Sequence, residues 1–430
     1  MGTNLAFTGI FLILSEQAYL RGIWVLSVPL CWIIGTIVLY QLYPRIRRYT
    51  AESKTLHQAL GEAFDSTDVR RLASLWTIGG FVGTVALEFY GGIRLLQWTG
   101  IPFLGVMPLA LLLAFVIGAF TASVGLRGVA SADIFLTGLT VVAVGILIWI
   151  VDQVCPFSSI VEAARTTLSG PSTADNVMFA VGMVVIFVPF QICILDSWQR
   201  FAAWKRPHEN QKPQWLLWTG FGLAVLFTLP VLVGIAVKTT NLPVPPDGHP
   251  FLSLLQTATL PVGVRGLLFA GLFAAMFSTA DELLNCCSLS FLTDTLQVTK
   301  SPGEAPTVAS QRLALSGQYY IGIFAIAAAT LALLAIKYDR KISEIAVAVF
   351  SGQILFTVPV LVALFATTNA KRYGSAVKAC LLSGFATVFL CVGASWISGN
   401  HLLADSAPLA GFFVSALSFA IVARFARAPD

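Results

Sequence analysis

The sequence has very little charge. Charged residues make up 11% of its 430 positions and hydrophobic residues 57%, whereas an ordinary soluble protein has roughly 25% charged residues. This shortage excludes a soluble globular domain of ordinary composition. The mean hydropathy of +0.82 agrees with that exclusion. The composition therefore predicts an integral membrane protein.

The side chains that most often carry enzyme chemistry are also scarce or scattered. There are seven cysteines and four histidines. The adjacent pair Cys286-Cys287 lacks the spacing of a metal site, and the histidines lie far apart in predicted loops. The sequence contains no phosphate-binding loop, dinucleotide fingerprint or nucleophilic triad. We therefore expect no enzymatic activity, and we expect the cysteines to pack as small buried hydrophobes.

What the sequence does have is long apolar runs. A hydrocarbon core of about 30 Å requires roughly 20 apolar residues per helix, and backbone polar groups in lipid must be paired within a helix or a closed barrel. The runs lack the alternation of a barrel, so they predict an all-α polytopic protein with a single domain over 1–430. The eleven runs, with one shorter run at 5–15, are 22–42, 73–99, 101–124, 129–151, 175–198, 214–237, 263–296, 316–337, 343–367, 373–396 and 406–425.

The net charge of +5 is best explained by membrane topology. Most Lys and Arg residues lie in alternate loops, notably 45–71, 200–212 and 371–378, which the positive-inside rule places in the cytoplasm. This predicts a multi-pass protein of the inner (plasma) membrane with a cytoplasmic C-terminus. The bilayer is its expected surroundings, and no nucleic-acid partner is expected. The basic residues around 337–341 go against the rule.

A few polar residues interrupt the apolar runs. An ionisable group at mid-membrane costs about 2.5 to 3.5 kcal/mol on insertion scales, so such groups usually face a cavity or a partner. They are the first candidates for function. They are Glu88, Asp133, Asp196, Asp281 and Glu282, with the uncharged Asn4, Gln191, Asn285 and Gln353.

The densest polar group is in 271–294. At about 100° per residue, Ala275, Ser278, Thr279 and Glu282 share one helix face, and Asp281 points to one side. Hydroxyl and carbonyl oxygens suit an alkali cation better than a transition metal. The alternative is that the hydroxyls bond to the preceding turn or pack against a neighbouring helix.

Proline in the run 175–198 suggests a discontinuous helix. Pro189 stands in the middle of the apolar stretch "MVVIFVPFQICIL". Transporters bind ions and solutes where broken spans free backbone groups at mid-membrane. A simple kink satisfied by neighbouring helices is the other interpretation.

Four segments, in order and at the right spacing, resemble the sodium:solute symporter family. The cytoplasmic segment 43–66 has the Pro-Arg-x-Arg cluster and Thr-Leu turn, and "VGLRGVASAD" places Asp133 on the family's aspartate. "SWQRFAAWK" is similar to its Gln-Arg-x-x-Ala-Ala-Lys. The segment 260–285 is similar to its Leu-Pro-x-Gly-x-Arg-Gly-Leu stretch, which runs into the sodium-binding helix.

This resemblance implies a fold and a sodium site. The fold is the leucine-transporter-like bundle of two inverted five-helix repeats, about 1–151 and 175–367, with two extra helices in 373–425. The implied sodium ligands are the Ala275 carbonyl, the Ser278 and Thr279 hydroxyls, and carbonyls near Gly2 and Leu5. Sodium is then a co-transported ion.

The resemblance also suggests roles for the other polar residues. We expect Asn4, Glu88, Gln191 and Gln353 at a central substrate cavity, with a structural role for Glu88 equally open. We expect Asp133 to act in gating or coupling near the cytoplasmic face; the alternative is a helix cap or a salt bridge with Arg127. Asp281 and Glu282 are further gating or coupling candidates, and Glu282 either draws the leaving cation or pairs with a basic residue.

Departures from the family pattern narrow the function. Relative to the family, Met1 falls about three residues before the break of the first helix, so we expect either a misassigned start or a truncated first helix. The positions that hold sugar in sugar-transporting members carry Pro29 and Ile194-Leu195 here. Sugar is therefore disfavoured. The leading hypothesis is a sodium-coupled symporter that imports a small organic solute by alternating access. The alternative is a transporter-like sensor or a degenerate, transport-inactive paralogue.

Overall fold

The computed structural model describes residues 7–50, 55–98, 105–169, 174–203, 212–244, 249–298, 306–338, 342–366 and 369–426, and within these ranges the chain is helical, with no strand. Short 3-10 turns at Gly22–Leu26 and Ala370–Tyr373 and a π-helical turn at Phe291–Thr295 accompany the helices. The helices are α1 (Phe7–Arg21), α2 (Ser27–Thr50), α3 (Leu56–Ala63), α4 (Thr67–Trp98), α5 (Val106–Val154), α6 (Phe157–Ser169), α7 (Ala174–Cys193), α8 (Leu195–Ala203), α9 (Gln214–Thr239), α10 (Pro250–Thr257), α11 (Val262–Ser290), α12 (Pro306–Lys337), α13 (Ile342–Ile354), α14 (Thr357–Phe365), α15 (Gly374–Ser398) and α16 (His401–Arg424).

Eleven helical segments of the described chain are long and apolar enough to cross a membrane. Ten of them coincide with predicted runs, and the first, Gly9–Thr50, joins the run 22–42 to the shorter run 5–15. The predicted all-α polytopic class is therefore confirmed. The segments differ in how deeply they are enclosed. Within its most apolar stretch, α4 has 72% of its residues buried, against 22% for α16. Thus α4 lies inside the bundle and α16 at its periphery.

The chain departs from a continuous straight helix at three places. Helix α5 contains two membrane spans, Val106–Gly125 and Ser131–Val154, and the backbone bends between them at Gly125, whose φ of 59° lies in the left-handed region that glycine adopts without strain. Helix α7 continues through Pro189 and ends at Cys193, so the break falls several residues after the proline. The span predicted at 343–367 is divided between α13 and α14. Two of these breaks lie close in sequence to Gln191 and Gln353.

Helix α11 packs against α5 and α4 in the interior. At Gly271 the backbones of α11 and α5 approach closely, because an added Cβ there would lie 2.4 Å from the Leu139 carbonyl oxygen. This approach brings the following turns of α11 against the second half of α5. Helices α15 and α16 pack against each other and against α13, which agrees with two added helices. The boundaries of the inverted repeats stay a prediction.

A buried polar network ties α3 and α4 to the end of α11. His57 Nδ1 lies 2.8 Å from Ser290 Oγ and 3.3 Å from an Asp294 carboxylate oxygen, and its Nε2 lies 2.9 Å from Thr77 Oγ1. Arg70 Nε donates to the other Asp294 oxygen at 2.9 Å. Since these groups satisfy one another, the network fixes the C-terminal end of the helix that carries the predicted sodium ligands.

Candidate ion and solute site

The centre of the site is a contact between α11 and α5. Ser278 Oγ donates a hydrogen bond of 2.6 Å to Asp133 Oδ1, and both residues are buried. The carboxylate that the sequence places among gating or coupling residues therefore touches a predicted sodium ligand. A hydroxyl and a carboxylate meet here away from water.

Thr279 behaves differently from Ser278. Its hydroxyl donates to the Ala275 carbonyl at 3.1 Å, one turn earlier in α11. The back-bonded alternative thus holds for Thr279, whereas the Ser278 hydroxyl reaches another helix. Ala275, Ser278 and Thr279 all lie in one buried stretch. The predicted ligands Gly2 and Leu5, and the cavity residue Asn4, lie outside the described residues.

Asp281 is fully buried in α11. In the described part of the chain, neither of its carboxylate oxygens has a hydrogen-bond partner. The carboxyl groups of Asp133 and Glu282 are close enough to act on it electrostatically. A buried carboxylate without a compensating partner is costly, so this position favours a cationic ligand.

Glu282 pairs with a basic residue, which was one of the two interpretations of its role. Arg200 Nε, on α8, donates to Glu282 Oε1 at 3.0 Å, and the same guanidinium lies 3.8 Å from an Asp196 oxygen. The described cluster therefore sets four carboxylates, those of Asp133, Asp196, Asp281 and Glu282, against one guanidinium. With all groups ionised it has an excess of negative charge.

Three cavities lie in sequence along the bundle. We name the end cavities by the predicted topology: the outer one is lined by Gln17, Ser343 and Asp405, and the inner one by Gln191, Asp196 and Arg200. A central cavity lies between them, because it shares Ile10, Phe187, Phe227 and Phe350 with the outer cavity and Trp32, Phe190 and Ile194 with the inner one.

The central cavity has aromatic walls. Trp32 lies 4.9 Å from Phe227 between ring centroids, and its ring also contacts Phe187 and Phe190. The aromatic lining residues are Trp32, Phe81, Phe187, Phe190, Phe227 and Phe350, and the polar ones are Thr84, Thr279 and Gln353. The sequence analysis missed this aromatic group, because its members come from five helices and have no common spacing.

The other predicted cavity residues occupy different places. Gln353 lines the central cavity with Phe187 and Phe190, which flank Pro189, whereas Gln191 lines the inner cavity. Glu88 is buried and accepts a hydrogen bond of 3.1 Å from the Gly9 amide, so it joins α4 to α1. It is absent from the described linings of the three cavities. Arg200 is a site residue that the sequence analysis did not select, although the matched Gln-Arg motif contains it.

Helix breaks, an interior polar cluster and cavities in series define a membrane transporter fold of the leucine-transporter-like class. The structure described as the substrate-bound outward-open state of a Na+-coupled sialic acid symporter shares this fold, with a TM-score of 0.67 over 100% of this chain and 91% of that chain. The sequence identity is 16%. The predicted fold class is confirmed by this match.

In sequence, the chain is similar to the sodium/pantothenate symporter of Escherichia coli (strain K12). The two are 30% identical over 183 residues, which are 40% of this chain and 36% of the relative. The match thus spans about a third of the relative's length. No family model matches the chain. The two similarities nevertheless confirm the resemblance to the sodium:solute symporter family, whose matched members are transporters and not enzymes.

Proposed function

We propose that the protein is a sodium-coupled symporter of the inner (plasma) membrane that imports a small organic solute by alternating access, with its C-terminus in the cytoplasm. The observation that carries the proposal is the buried 2.6 Å contact between Ser278 and Asp133. It puts a carboxylate beside the oxygens that the resemblance assigns to sodium. The names of the two similar transporters support the same coupling ion.

The oxygen donors suit sodium as a co-transported substrate. The Ala275 carbonyl and the Ser278 and Thr279 hydroxyls are hard neutral ligands, and the Asp133 carboxylate adds negative charge nearby. Asp281, buried without a hydrogen-bond partner among the described residues, increases the local negative potential. Carbonyls near Gly2 and Leu5 are proposed as the remaining ligands.

The proposed coupling runs through Thr279. This residue belongs to the proposed sodium ligands and also lines the central cavity. An ion that orients the Thr279 side chain therefore changes the wall of the solute cavity. Coupling of this kind is a difference in binding free energy between states, typically 1 to 3 kcal/mol. The outer and inner cavities are the proposed access routes on either side.

The test is uptake of labelled solutes into proteoliposomes with and without a sodium gradient, together with sodium-induced thermal stabilisation of the purified protein. The double variant Ser278→Ala/Thr279→Ala is expected to lose sodium affinity by about 1 to 3 kcal/mol, as for hydrogen-bonding groups that contact a charge. Thr330→Ala is the matched control, because the Thr330 hydroxyl also bonds to its own helix, at Ile326, but lies exposed on α12.

The possible results separate the hypotheses. Unchanged sodium dependence in the double variant would contradict the ion site. Sodium binding by the wild-type protein without uptake of any solute would favour the sensor or transport-inactive alternative.

A further inference from the structure

We propose that the central cavity binds an uncharged solute with an amide-type edge, in which an N–H donor and a C=O acceptor stand side by side on an apolar body. The proposal rests on the proposed symport function and adds the chemical class of the solute. It is derived from the unpaired polar atoms and the aromatic walls of the cavity.

The first observation is the side chain of Gln353. Gln353 is 2% exposed, and neither its amide nitrogen nor its amide oxygen has a hydrogen-bond partner in the described part of the protein. Its Nε2 lies against α4, where a Cβ added to Gly80 would be only 2.3 Å away. The glycine thus makes room for an amide that no described group satisfies. Because a buried amide without partners is costly, the cavity is built for a ligand that supplies both a donor and an acceptor.

The second observation is Trp32, on α2, which also lines the central cavity. Its indole Nε1 is buried and also has no hydrogen-bond partner among the described residues. An indole nitrogen only donates. The residues that line the cavity therefore include two kinds of donor without a described partner, on Trp32 and Gln353, and one such acceptor, on Gln353. A neutral amide, ureide or lactam edge satisfies this set, since its carbonyl oxygen accepts two hydrogen bonds and its N–H donates one.

The walls favour an apolar and flat solute body. The six aromatic side chains surround the cavity, and no charged side chain is among its described lining residues. Aromatic rings bind flat apolar groups by stacking and edge contacts. A solute of this shape leaves the polar edge to Gln353 and Trp32.

Charged solutes fit this set of atoms less well. A carboxylate accepts from Trp32 and Gln353 but leaves the Gln353 oxygen without a donor, and it places a charge where the described lining has no cation. A quaternary ammonium group interacts with aromatic faces but has neither an N–H donor nor an acceptor, so all three unpaired polar atoms stay unpaired.

The test compares probes that share a ring and differ in the head group. Benzamide, benzoate and phenyltrimethylammonium are added to the purified wild-type protein in saturating sodium, beside a panel of small lactams and ureides, and ligand-induced thermal stabilisation is measured. We expect stabilisation by benzamide or by members of the lactam and ureide panel, with benzoate and phenyltrimethylammonium at least tenfold weaker.

Three variants locate the recognition. Gln353→Leu removes the side-chain amide, and Gln353→Glu replaces its N–H donor by a second acceptor oxygen. We expect each variant to bind the neutral amide ligand about tenfold or more weakly. Trp32→Phe keeps an aromatic ring and removes the donor, so a smaller loss of about three- to tenfold is expected. Gln318→Leu, on the exposed surface of α12, is the control and is expected to bind as the wild type does.

The outcomes distinguish the solute class from the symport function. Sodium-induced stabilisation that persists in the Gln353 variants shows that they are folded and that the ion site is intact. If sodium stabilises the wild-type protein but only charged solutes add to this effect, or if the Gln353 variants bind amides normally, the solute class is wrong while symport stands. If no sodium response exists, the proposed function itself fails.

Discussion

Ser278 on α11 and Asp133 on α5 are 145 residues apart in the chain and share a buried hydrogen bond of 2.6 Å. The bond joins the helix of the proposed sodium ligands to the part of α5 that follows the bend at Gly125. A movement of either helix changes the distance between this hydroxyl and this carboxylate. The contact therefore gives a physical route by which a cation at the proposed sodium site would alter helix packing.

Asp133→Asn is the direct test of that route. Asparagine keeps an acceptor for the Ser278 hydroxyl but removes the negative charge, so the fold is retained and the attraction for a cation decreases. We expect the sodium concentration for half-maximal thermal stabilisation to rise about tenfold, on the order of 1.4 kcal/mol. Asp65→Asn is a suitable control, because the Asp65 side chain is 75% exposed. Unchanged sodium dependence in Asp133→Asn would exclude a coupling role.

Asp281→Asn is expected to have two opposite effects. The wild-type carboxylate is fully buried, and neither oxygen has a hydrogen-bond partner among the described residues, so removal of its charge relieves an unfavourable burial. The melting temperature without sodium should therefore rise. The further increase on adding sodium should become smaller, because the negative potential near Ser278 is reduced. A variant that melts lower than the wild type in sodium-free buffer would contradict this account of Asp281.

The sequence predicted the helices well because hydropathy and the helical period are local properties. The eleven spans and the shared face of Ala275, Ser278 and Thr279 follow from residues close together in the chain. The residues that contact this face cannot be predicted in the same way. Asp133 and Arg200 reach α11 only through tertiary packing, and no local pattern links either of them to Ser278 or Glu282.

The interrupted helices show a similar division. Pro189 signalled a break in its span, but the helix continues through it to Cys193, which is possible where neighbouring groups compensate for the missing backbone hydrogen bond. The interruption after Ile354 had no proline or glycine at the break itself. The aromatic walls of the central cavity required the folded arrangement of helices, since burial alone does not tell a cavity wall from a packed core.

Asp294 is expected to be a structural carboxylate. It accepts hydrogen bonds from Arg70 Nε at 2.9 Å and Thr55 Oγ1 at 3.0 Å, and its side chain is fully buried. Asp294→Asn should destabilise the protein by about 3 kcal/mol, because it leaves the partly buried Arg70 without its counter-charge. The measurement is the thermal midpoint in detergent.

The matched control for Asp294 is Asp68→Asn. Asp68 pairs with Lys378 at 2.5 Å, but its side chain is 61% exposed, and exposed ion pairs contribute little to stability. We therefore expect a midpoint close to that of the wild type. If Asp294→Asn and Asp68→Asn lowered the thermal midpoint equally, burial of the Asp294 network would not determine its contribution to stability.

The ion pair between Arg200 and Glu282 gives the last prediction. Arg200→Met removes the basic partner of the Glu282 and Asp196 carboxylates, whose side chains are only 11% and 6% exposed. Breaking a buried pair by removing one partner costs about 3 to 5 kcal/mol. Glu282→Gln should cost less, since Arg200 keeps Asp196 at 3.8 Å. The double variant Arg200→Met/Glu282→Gln should lose less stability than the two single variants lose together. The difference, the coupling energy of the double-mutant cycle, should be about 0.5 to 3 kcal/mol.

The same variants test whether Glu282 handles the cation. Because the Arg200 guanidinium already neutralises it, Glu282→Gln should leave the sodium concentration for half-maximal stabilisation near the wild-type value, in contrast to Asp133→Asn. A shift as large as that of Asp133→Asn would mean that sodium reaches the Glu282 carboxylate despite the ion pair. Glu282 would then draw the leaving cation towards the inner cavity, whose lining includes Arg200.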